Sequence, residues 1–290
     1  MLGILLIDKP LGITSHDVVN DIRRRFGTKR VGHAGTLDPL ASGLLVVAVG
    51  PATRFLQYLP LEPKVYVADI EFGHSTPTYD AEGELSEARD VPSDLLGSIE
   101  TALVQFRGLI QQLPPMFSAV KVGGKPLYKF AREGKELVRE PRTVHIDSFE
   151  ILNIEGNRAQ ARISCSGGTY IRSLANDLGE TIGCGAYLKG LSRTGVGRFD
   201  LSEATPLAEV KPEMLFTLRD ALPPMPLVTL DATQTANIRE GRPIGLIDPP
   251  EGNLAALLDP NGNVFSVARI VGNLVQPECV IPGEVPHGAS

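Results

Sequence analysis

Apolar positions along the chain follow distinct rhythms, and each rhythm predicts an element. Residues 2–7 and 44–49 are unbroken apolar runs of strand length, the pattern of strands buried on both faces. Tyr66, Ala68, Ile70 and Phe72 alternate with Val67, Asp69 and Glu71, which predicts a half-buried strand. Val18, Ile22 and Phe26, flanked by Val19, recur at helical spacing. Thr14 or Ser15 ahead of them offers an N-cap, and Asp17 completes a Thr-x-x-Asp capping box. Arg23, Arg24 and Arg25 fill the last turn, where cations suit the helix dipole, and Gly27 can end it.

The same reading continues downstream. Pro51 suits the first turn of a short helix through Phe55 and Leu59. Residues 73–92 are acidic and turn-rich, a surface hairpin or loop. Residues 93–106 read as a helix with Leu96, Ile99, Leu103 and Phe106 inward. Pro114-Pro115 breaks the chain, 116–122 reads as a strand, Gly123-Gly124 as a turn, and 126–133 as a short helix. Two strands follow near 143–154 and 158–165, and then a helix with Ile171, Leu174, Leu178 and Ile182 on one face. The stretch 221–226, LPPMPL, reads as a linker before short strand-like runs at 227–230, 254–258 and 264–270. This order predicts a mixed α+β body, residues 1–220, followed by a small β-rich unit, residues 226–290.

Composition adds a compartment and reopens a question about partners. The 290 residues are 42% hydrophobic and 21% charged, an ordinary globular balance. The three cysteines, Cys165, Cys184 and Cys279, form no CxxC and fit neither a zinc site nor a disulfide framework, so reduced cytoplasmic thiols are expected. The apolar N-terminal stretch meets Asp8 and Lys9 at once and reads as no signal peptide; no apolar run suits a membrane span. The net charge of −6 argues against a nucleic-acid partner, but it is unevenly spread. Residues 1–60 carry 7 bases and 4 acids, and 121–145 carry 7 and 3. Residues 61–120 carry 3 and 10, and 201–290 carry 5 and 11. Two basic blocks therefore keep a nucleic-acid partner in play.

Several residues carry candidate chemistry. The loop-like stretch 31–43 holds Asp38 before Pro39, which pushes the aspartate to an extended backbone in a stiff turn. Such a carboxylate, near His33 and the cations Arg23, Arg24, Arg25, Lys29 and Arg30, suits a nucleophile or base; Asp-Pro is equally at home in an ordinary turn. Lys9 before a Pro/Gly turn and a helix start suits a phosphate contact, or simply a capped turn. Gly167-Gly168 places Tyr170 and Arg172 near a helix start, where Arg172 can pair with a carboxylate. Tyr66 suits stacking on a base or a place in the core. Lys121, Lys125, Lys129 and Arg132, interleaved with Tyr128 and Phe130, suit looped RNA, although Glu133, Glu136 and Glu140 also fit a solvated face. His16, His74, His145 and His287 are scattered, and no HExxH, Cys/His cluster, GxGxxG or GxSxG occurs, so neither a metal nor a nucleotide cofactor is expected.

Taken in order, the segments resemble one family, the TruB-type tRNA pseudouridine synthases. The matching stretches are DKPLGITSHDVVNDIRR (8–24), GHAGTLDPLASGLLVVAVGPATR (32–54), KVY (64–66), PMFSAVKVGGKPLYKFAREG (115–134), CSGGTYIRSLANDLGE (165–180) and CGAYLKGLSRTGVGRF (184–199). The family loop often reads GHTGTLDP, and here Ala34 replaces that threonine; the family's LxRT-type segment appears as Leu191-Ser192-Arg193-Thr194. The C-terminal unit is similar to a PUA-like domain only loosely, around Arg239-Glu240-Gly241-Arg242-Pro243.

The resemblance implies a pseudouridine synthase fold with a largely antiparallel central sheet and flanking helices. It implies isomerisation of uridine 55 in the T-arm loop of tRNA, without cofactor, metal or obligate protein partner. Asp38 would be the catalytic carboxylate, attacking sugar or base or abstracting a sugar proton. Arg172 would pair with it, and Tyr66 would stack on the uracil and assist proton movement at C5. Tyr170 and Leu191 would wall the pocket, His33 and Lys9 would support the loop and the RNA, and 121–145 would grip the T-arm. A tRNA-folding chaperone activity, or a purely RNA-binding protein, is the alternative. A carboxylate-based glycosidase is a weaker one, because the region of Asp38 offers no obvious partner carboxylate, Asp8 and Asp17 being better explained by turn and cap.

Overall fold

A computed structural model of the chain describes residues 1–118, 120–135 and 137–283. Strand β1 (Gly3–Lys9) leads into helix α1 (Ser15–Arg25), whose Thr14 cap accepts the Asp17 N–H at 3.1 Å while Asp17 accepts the Thr14 N–H at 2.8 Å. Strands β2 (Val31–Ala34) and β3 (Ala41–Val49) follow, then a 3₁₀ helix over Gly50–Tyr58 and strand β4 (Lys64–Phe72). Helix α2 (Leu95–Leu103) precedes β5 (Gly108–Gln112). A small hairpin, β6 (Lys121–Val122) and β7 (Lys125–Pro126), runs into α3 (Leu127–Arg132). Long strands β8 (Arg142–Glu155) and β9 (Arg158–Cys165) lead to α4 (Ile171–Ile182) and β10 (Ala186–Val196). The short β11 (Phe199–Asp200), β12 (Thr205–Pro206) and α5 (Leu218–Ala221) close this part of the chain.

The main sheet has ten strands on the path β12-β1-β3-β10-β4-β9-β8-β5, with β2 paired to β3 and β11 to β10. Only β1/β12 and β3/β10 are parallel, so the expected largely antiparallel α+β sheet is what forms. Helices α2 and α4 cover the β4, β8 and β9 part of one face through Leu95, Ile99, Leu103, Leu174 and Leu178. Helix α1 covers β1 and β3 through Val18, Val19 and Ile22. A second sheet, ordered β13-β15-β16-β17-β14, is built from β13 (Leu227–Thr229), β14 (Ile244–Gly245), β15 (Leu254–Leu258), β16 (Val264–Val271) and β17 (Leu274–Val280). Helix α6 (Ala232–Arg239) lies against it, and this curled unit fits a PUA-like domain. Ala256, Leu258 and Val267 share an apolar cluster with Ile4, Leu44 and Phe55 of the main body. No described helix is long and apolar enough to cross a membrane.

Four expectations change. The buried face of α2 uses Leu95, Ile99, Ala102 and Leu103, whereas Leu96 is half exposed; the spacing 95, 99, 102, 103 fits a continuous helical stripe better than one through 96. Of 116–122 only Lys121–Val122 is strand, because Met116 to Ser118 turn in toward α4 and the Phe117 carbonyl is taken by Arg172. Residues 31–34 are strand, not loop, pairing with Val46 to Val49 of β3. The acidic 73–92 stretch has no regular element but is not all surface: Thr76 and Asp80 are buried.

One register row fixes the centre of the sheet. Lys9 of β1 faces Gly43 of β3, Gly43 faces Arg193 of β10, Arg193 faces Tyr66 of β4, and Tyr66 faces Ile163 of β9. Gly43 has φ +96, and a Cβ there would lie 2.4 Å from the Arg193 carbonyl oxygen and 2.9 Å from its nitrogen. Gly43→Ala is therefore expected to destabilise the protein by about 3 kcal/mol, from left-handed strain and backbone overlap together. Urea unfolding checks this; a shift within about 0.5 kcal/mol would mean that β3 and β10 separate at no cost.

Candidate active site

The turn between β2 and β3 carries Asp38, and its backbone is tied down from several sides. The Leu37 N–H donates to the Ser15 hydroxyl at 2.8 Å, and that hydroxyl donates to the Leu37 carbonyl at 3.1 Å. Ser15, the first residue of α1, is buried, as is the Leu37 side chain. The Gly12 N–H donates to the Pro39 carbonyl and the Ala41 N–H to that of Asp38, at 2.9 and 3.0 Å. Against this rigid backbone the Asp38 side chain stays 52% exposed, open to a cleft of about 570 Å³.

Arg172 reaches the cleft from the first turn of α4, with its side chain only 9% exposed. Its Nη2 lies 3.2 Å from Asp38 Oδ2 and donates to the Phe117 carbonyl at 2.7 Å; its Nη1 lies 2.9 Å from Asp80 Oδ2. The expected Asp38–Arg172 pair is thus present, and a second carboxylate shares the guanidinium. Asp80 is held in turn: its Oδ1 accepts from the Thr78 hydroxyl at 2.6 Å and the Glu82 N–H at 3.1 Å. Tyr79 beside it adopts φ +65, unusual for a non-glycine residue, in the loop that aims Asp80 inward. The start of α4 is pinned by Gln112 of β5, which accepts from the Tyr170 N–H at 2.7 Å and donates to the Tyr170 carbonyl at 3.0 Å.

Asp38, Tyr66, Tyr170, Arg172 and Leu191 all line the cleft, together with Lys64, Asp80, Phe117 and Leu188. Tyr66 is buried but for its cleft-facing edge, and burial pushes its phenol above the ordinary tyrosine range, with the Arg193 charge opposing. The Tyr170 ring lies 5.9 Å from the Arg172 guanidinium carbon. His33 and Lys9 do not line the cleft. Lys9 is fully buried, and its ammonium donates to the carbonyls of Pro10 and Ile13 at 2.9 and 2.7 Å. That geometry supports the turn, and with the side chain fully buried the ammonium does not reach the surface where a phosphate would lie. Burial lowers the Lys9 pKa from the ordinary lysine value, and it lowers that of His33 on β2 as well.

The arginines that end α1 are also engaged in the fold. Arg23 donates to the Val31 carbonyl, Arg25 to those of Leu207 and Ala208, and Arg24 and Arg25 both pair with Asp21. In the basic hairpin segment Lys125 and Lys135 pair with Glu133, Lys125 also sits over the Phe130 ring, and Lys129 is exposed. The side chains of Lys121, Tyr128 and Arg132, and residues Glu136 and His287, lie outside the described residues.

Three residues of the site escaped the reading from residues alone. Asp80 is one acid among many in a turn-rich stretch, with no motif around it. Lys64 and Arg193 sit inside the quoted KVY and LSRT segments without a role of their own. The sequence around Asp38 offers no obvious partner carboxylate, and folding brings a distant one, Asp80, to the far side of Arg172. Both Asp80 carboxylate oxygens are held by donors, which fits an anchor for the arginine and not a free acid facing Asp38.

A model of the TruB family pseudouridylate synthase N-terminal domain matches residues 23–171, and one of the tRNA pseudouridylate synthase B C-terminal domain matches 172–226. The chain belongs to the TruB family. A tRNA pseudouridine synthase B from Cupriavidus metallidurans is 40% identical over 96% of this chain and 94% of its own length. One from Dehalococcoides mccartyi is 44% identical over 87% of each. Among solved structures, a Cbf5-Nop10-Gar1 complex has a chain that aligns with a TM-score of 0.67 at 28% identity, covering 97% of this chain and 85% of that one. The break between the two TruB models, at 171/172, falls inside α4, so both matched segments build one cleft: Asp38 and Tyr66 come from the first, Arg172 and Leu191 from the second.

Two predictions follow from this geometry. Asp80→Asn leaves a buried guanidinium with a weakened anchor; it is expected to slow single-turnover pseudouridine formation by about 10²-fold while tRNA affinity holds. Wild-type kinetics in a variant that melts normally would remove Asp80 from the site. Lys9→Met is expected to lower the melting temperature without changing tRNA affinity or its salt dependence. A fall of about one in the slope of log affinity against log salt would instead place Lys9 on the RNA backbone.

Proposed function

We propose that the protein isomerises uridine 55 in the T-arm loop of tRNA to pseudouridine, with Asp38 as the catalytic carboxylate. The observation that carries this reading is the half-exposed Asp38 carboxylate on an immobile turn, paired with Arg172 and facing a cleft walled by Tyr66, Tyr170 and Leu191. In the reaction the N1–C1′ bond breaks, the uracil turns, and a C5–C1′ bond forms. The proton lost at C5 is balanced by one gained at N1, so the product is an isomer and no oxidant, reductant or group donor is consumed. Attack on the sugar, attack on the base and abstraction of a sugar proton all require the carboxylate form, and that is the form with which Arg172 pairs.

The cleft volume suits one small substrate unit, in the range of roughly 300–1,000 Å³ typical of such sites, so the uridine must leave its stacked loop to enter. Tyr66 and Leu191 then bound the base, with Tyr170 at the arginine side. The basic 121–145 segment, with exposed Lys129, is the part that would grip the T-arm phosphates, making affinity fall with salt. The catalytic unit spans 1–220, and the unit at 226–290 is an accessory RNA-facing module.

Purified protein incubated with a uridine-labelled T-arm stem-loop is expected to yield pseudouridine. Asp38→Asn is expected to cut the rate on the order of 10⁴-fold and to keep RNA affinity. Full activity in that variant overturns the reading. Loss of affinity along with product favours a binding or folding role, and release of free uracil favours a glycosidase.

A further inference from the structure

Among the described residues the cleft is lined by two cations, Arg172 and Lys64. Arg172 is committed to Asp38, Asp80 and the Phe117 carbonyl. Lys64 is not committed: no hydrogen bond or ion pair with a described residue holds its ammonium, and the mechanism above gives it no task.

The fold places that ammonium with care. Lys64 opens β4 two residues before Tyr66, so both side chains leave the same face of the strand, and both line the cleft. Its Nζ stands between two glycine turns. A Cβ at Gly35, ahead of the Asp38 turn, would lie 3.2 Å from that nitrogen, and so would one at Gly167, ahead of α4. Glycine at both places leaves room for the ammonium. The acids close by are engaged elsewhere: Glu62 Oε1 accepts the Gly167 N–H at 2.9 Å, and Asp38 pairs with Arg172. Beside Lys64 the cleft wall is Gly35, Thr36, Gly168 and Thr169, small residues that let the backbone of a ligand come close. A half-buried ammonium with no fixed counter-charge carries a desolvation cost; burial lowers its pKa, with the Arg193 charge adding and the Glu62 charge opposing. Such a group is more at home in a binding site than in a core.

We propose that Lys64 binds one of the two backbone phosphates that flank the reacting uridine, inside the cleft. This rests on the functional reading above and names a contact within that site. Of the groups a flipped uridine brings with it, uracil and ribose are neutral, and only the flanking phosphates are anionic. A compact ammonium with three donors suits a phosphate oxygen. Two strand positions separate Lys64 from Tyr66 by about 6.6 Å, a step on the scale that separates a base from its own backbone, so a base against Tyr66 brings a phosphate to Lys64. The contact has a use in the reaction. Once the N1–C1′ bond breaks, the uracil is free to turn, and only the sugar–phosphate chain keeps C1′ in place. A phosphate held at the cleft wall fixes the ribose beside Asp38 while C5 comes round to C1′, so binding energy away from the reacting atoms is spent on their alignment.

Single-turnover pseudouridine formation on T-arm stem-loops tests this. In two modified RNAs a neutral methylphosphonate replaces the phosphate on the 5′ or the 3′ side of the target uridine. With wild-type protein, one of the two is expected to react about tenfold or more slowly than unmodified RNA. Lys64→Met is expected to slow unmodified RNA by a similar factor, and in that variant the same neutral linkage costs nothing further. A wild type indifferent to both linkages overturns the proposal, and if Lys64→Met is slow all the same, its ammonium acts on the uracil or the ribose. Equal cost of the neutral linkage in wild type and variant also overturns it. Lys64→Gln, which keeps a polar group on the cleft wall, carries the same comparison where Lys64→Met folds poorly. No product from unmodified RNA with the wild type overturns the functional reading itself, whereas product with either contrary linkage result overturns only the role of Lys64.

Discussion

The absence of a side chain at Gly43 lets two strands meet where the cleft is built. With φ +96 and the Arg193 backbone where a Cβ would stand, Gly43 brings β3 and β10 together in parallel while β1 and β4 close on either side. Parallel neighbours require a long excursion between them, and here the chain from β3 to β10 contributes Tyr66, Asp80 and Arg172 to the cleft. The turn before β3 then lands beside the start of α4, and Asp38 meets Arg172. In the register row Gly43 stands between Lys9 and Arg193, both of them buried.

That row gives the site its polarity. Around the Asp38 turn lie Lys9, His33 and Arg193 away from the cleft and Lys64 on its wall; for Lys9, His33 and Lys64 burial is the main cause of a lowered pKa and the Arg193 charge adds to it. In front lie two carboxylates joined by one guanidinium. Charge is therefore arranged in layers before any substrate enters, with its desolvation cost met during folding. A site organised this way spends little on reorganisation when a reacting group becomes charged. The hydrogen bonds that hold it are mostly to backbone carbonyls, of Pro10, Ile13, Gly35, Leu44 and Phe117, so the charged groups are fixed by the chain itself.

Local signals in the residues reached the elements but not their meeting points. The capping box at Thr14 and Asp17, the apolar runs of β1 and β3 and the alternation of β4 are properties of neighbours in sequence, and the structure has them all. Strand β10 escaped because bulges between Leu188 and Gly190 and between Arg193 and Gly195 break its alternation, yet it is the strand on which the cleft turns. Asp80 escaped because its partner lies 92 positions away. Lys9 was legible as chemistry but not as direction: a lysine before a Pro/Gly turn looks the same whether its ammonium points out to a phosphate or in to two carbonyls. Asp38, Tyr66 and Arg172 stood out only together, since the spacing within each motif fits an ordinary turn, strand or surface helix.

Charge distribution completes the picture of an acidic protein built to meet RNA. Residues 1–200 carry 23 bases and 23 acids, so the whole net −6 belongs to the remainder. Within the balanced part, many bases are already committed: Arg23 and Arg25 tie α1 to its surroundings, and Lys9, Arg172 and Arg193 are buried. What faces solvent in 121–145 is a surplus held loosely, with Lys125 and Lys135 sharing the single carboxylate of Glu133. Exposed pairs of this kind are worth about 1 kcal/mol or less, so an RNA phosphate can displace the carboxylate at little cost. The acidic 201–290 block adds no attraction for phosphates, so the electrostatic pull on RNA is concentrated in the basic segments of a chain whose average charge argues against nucleic acid.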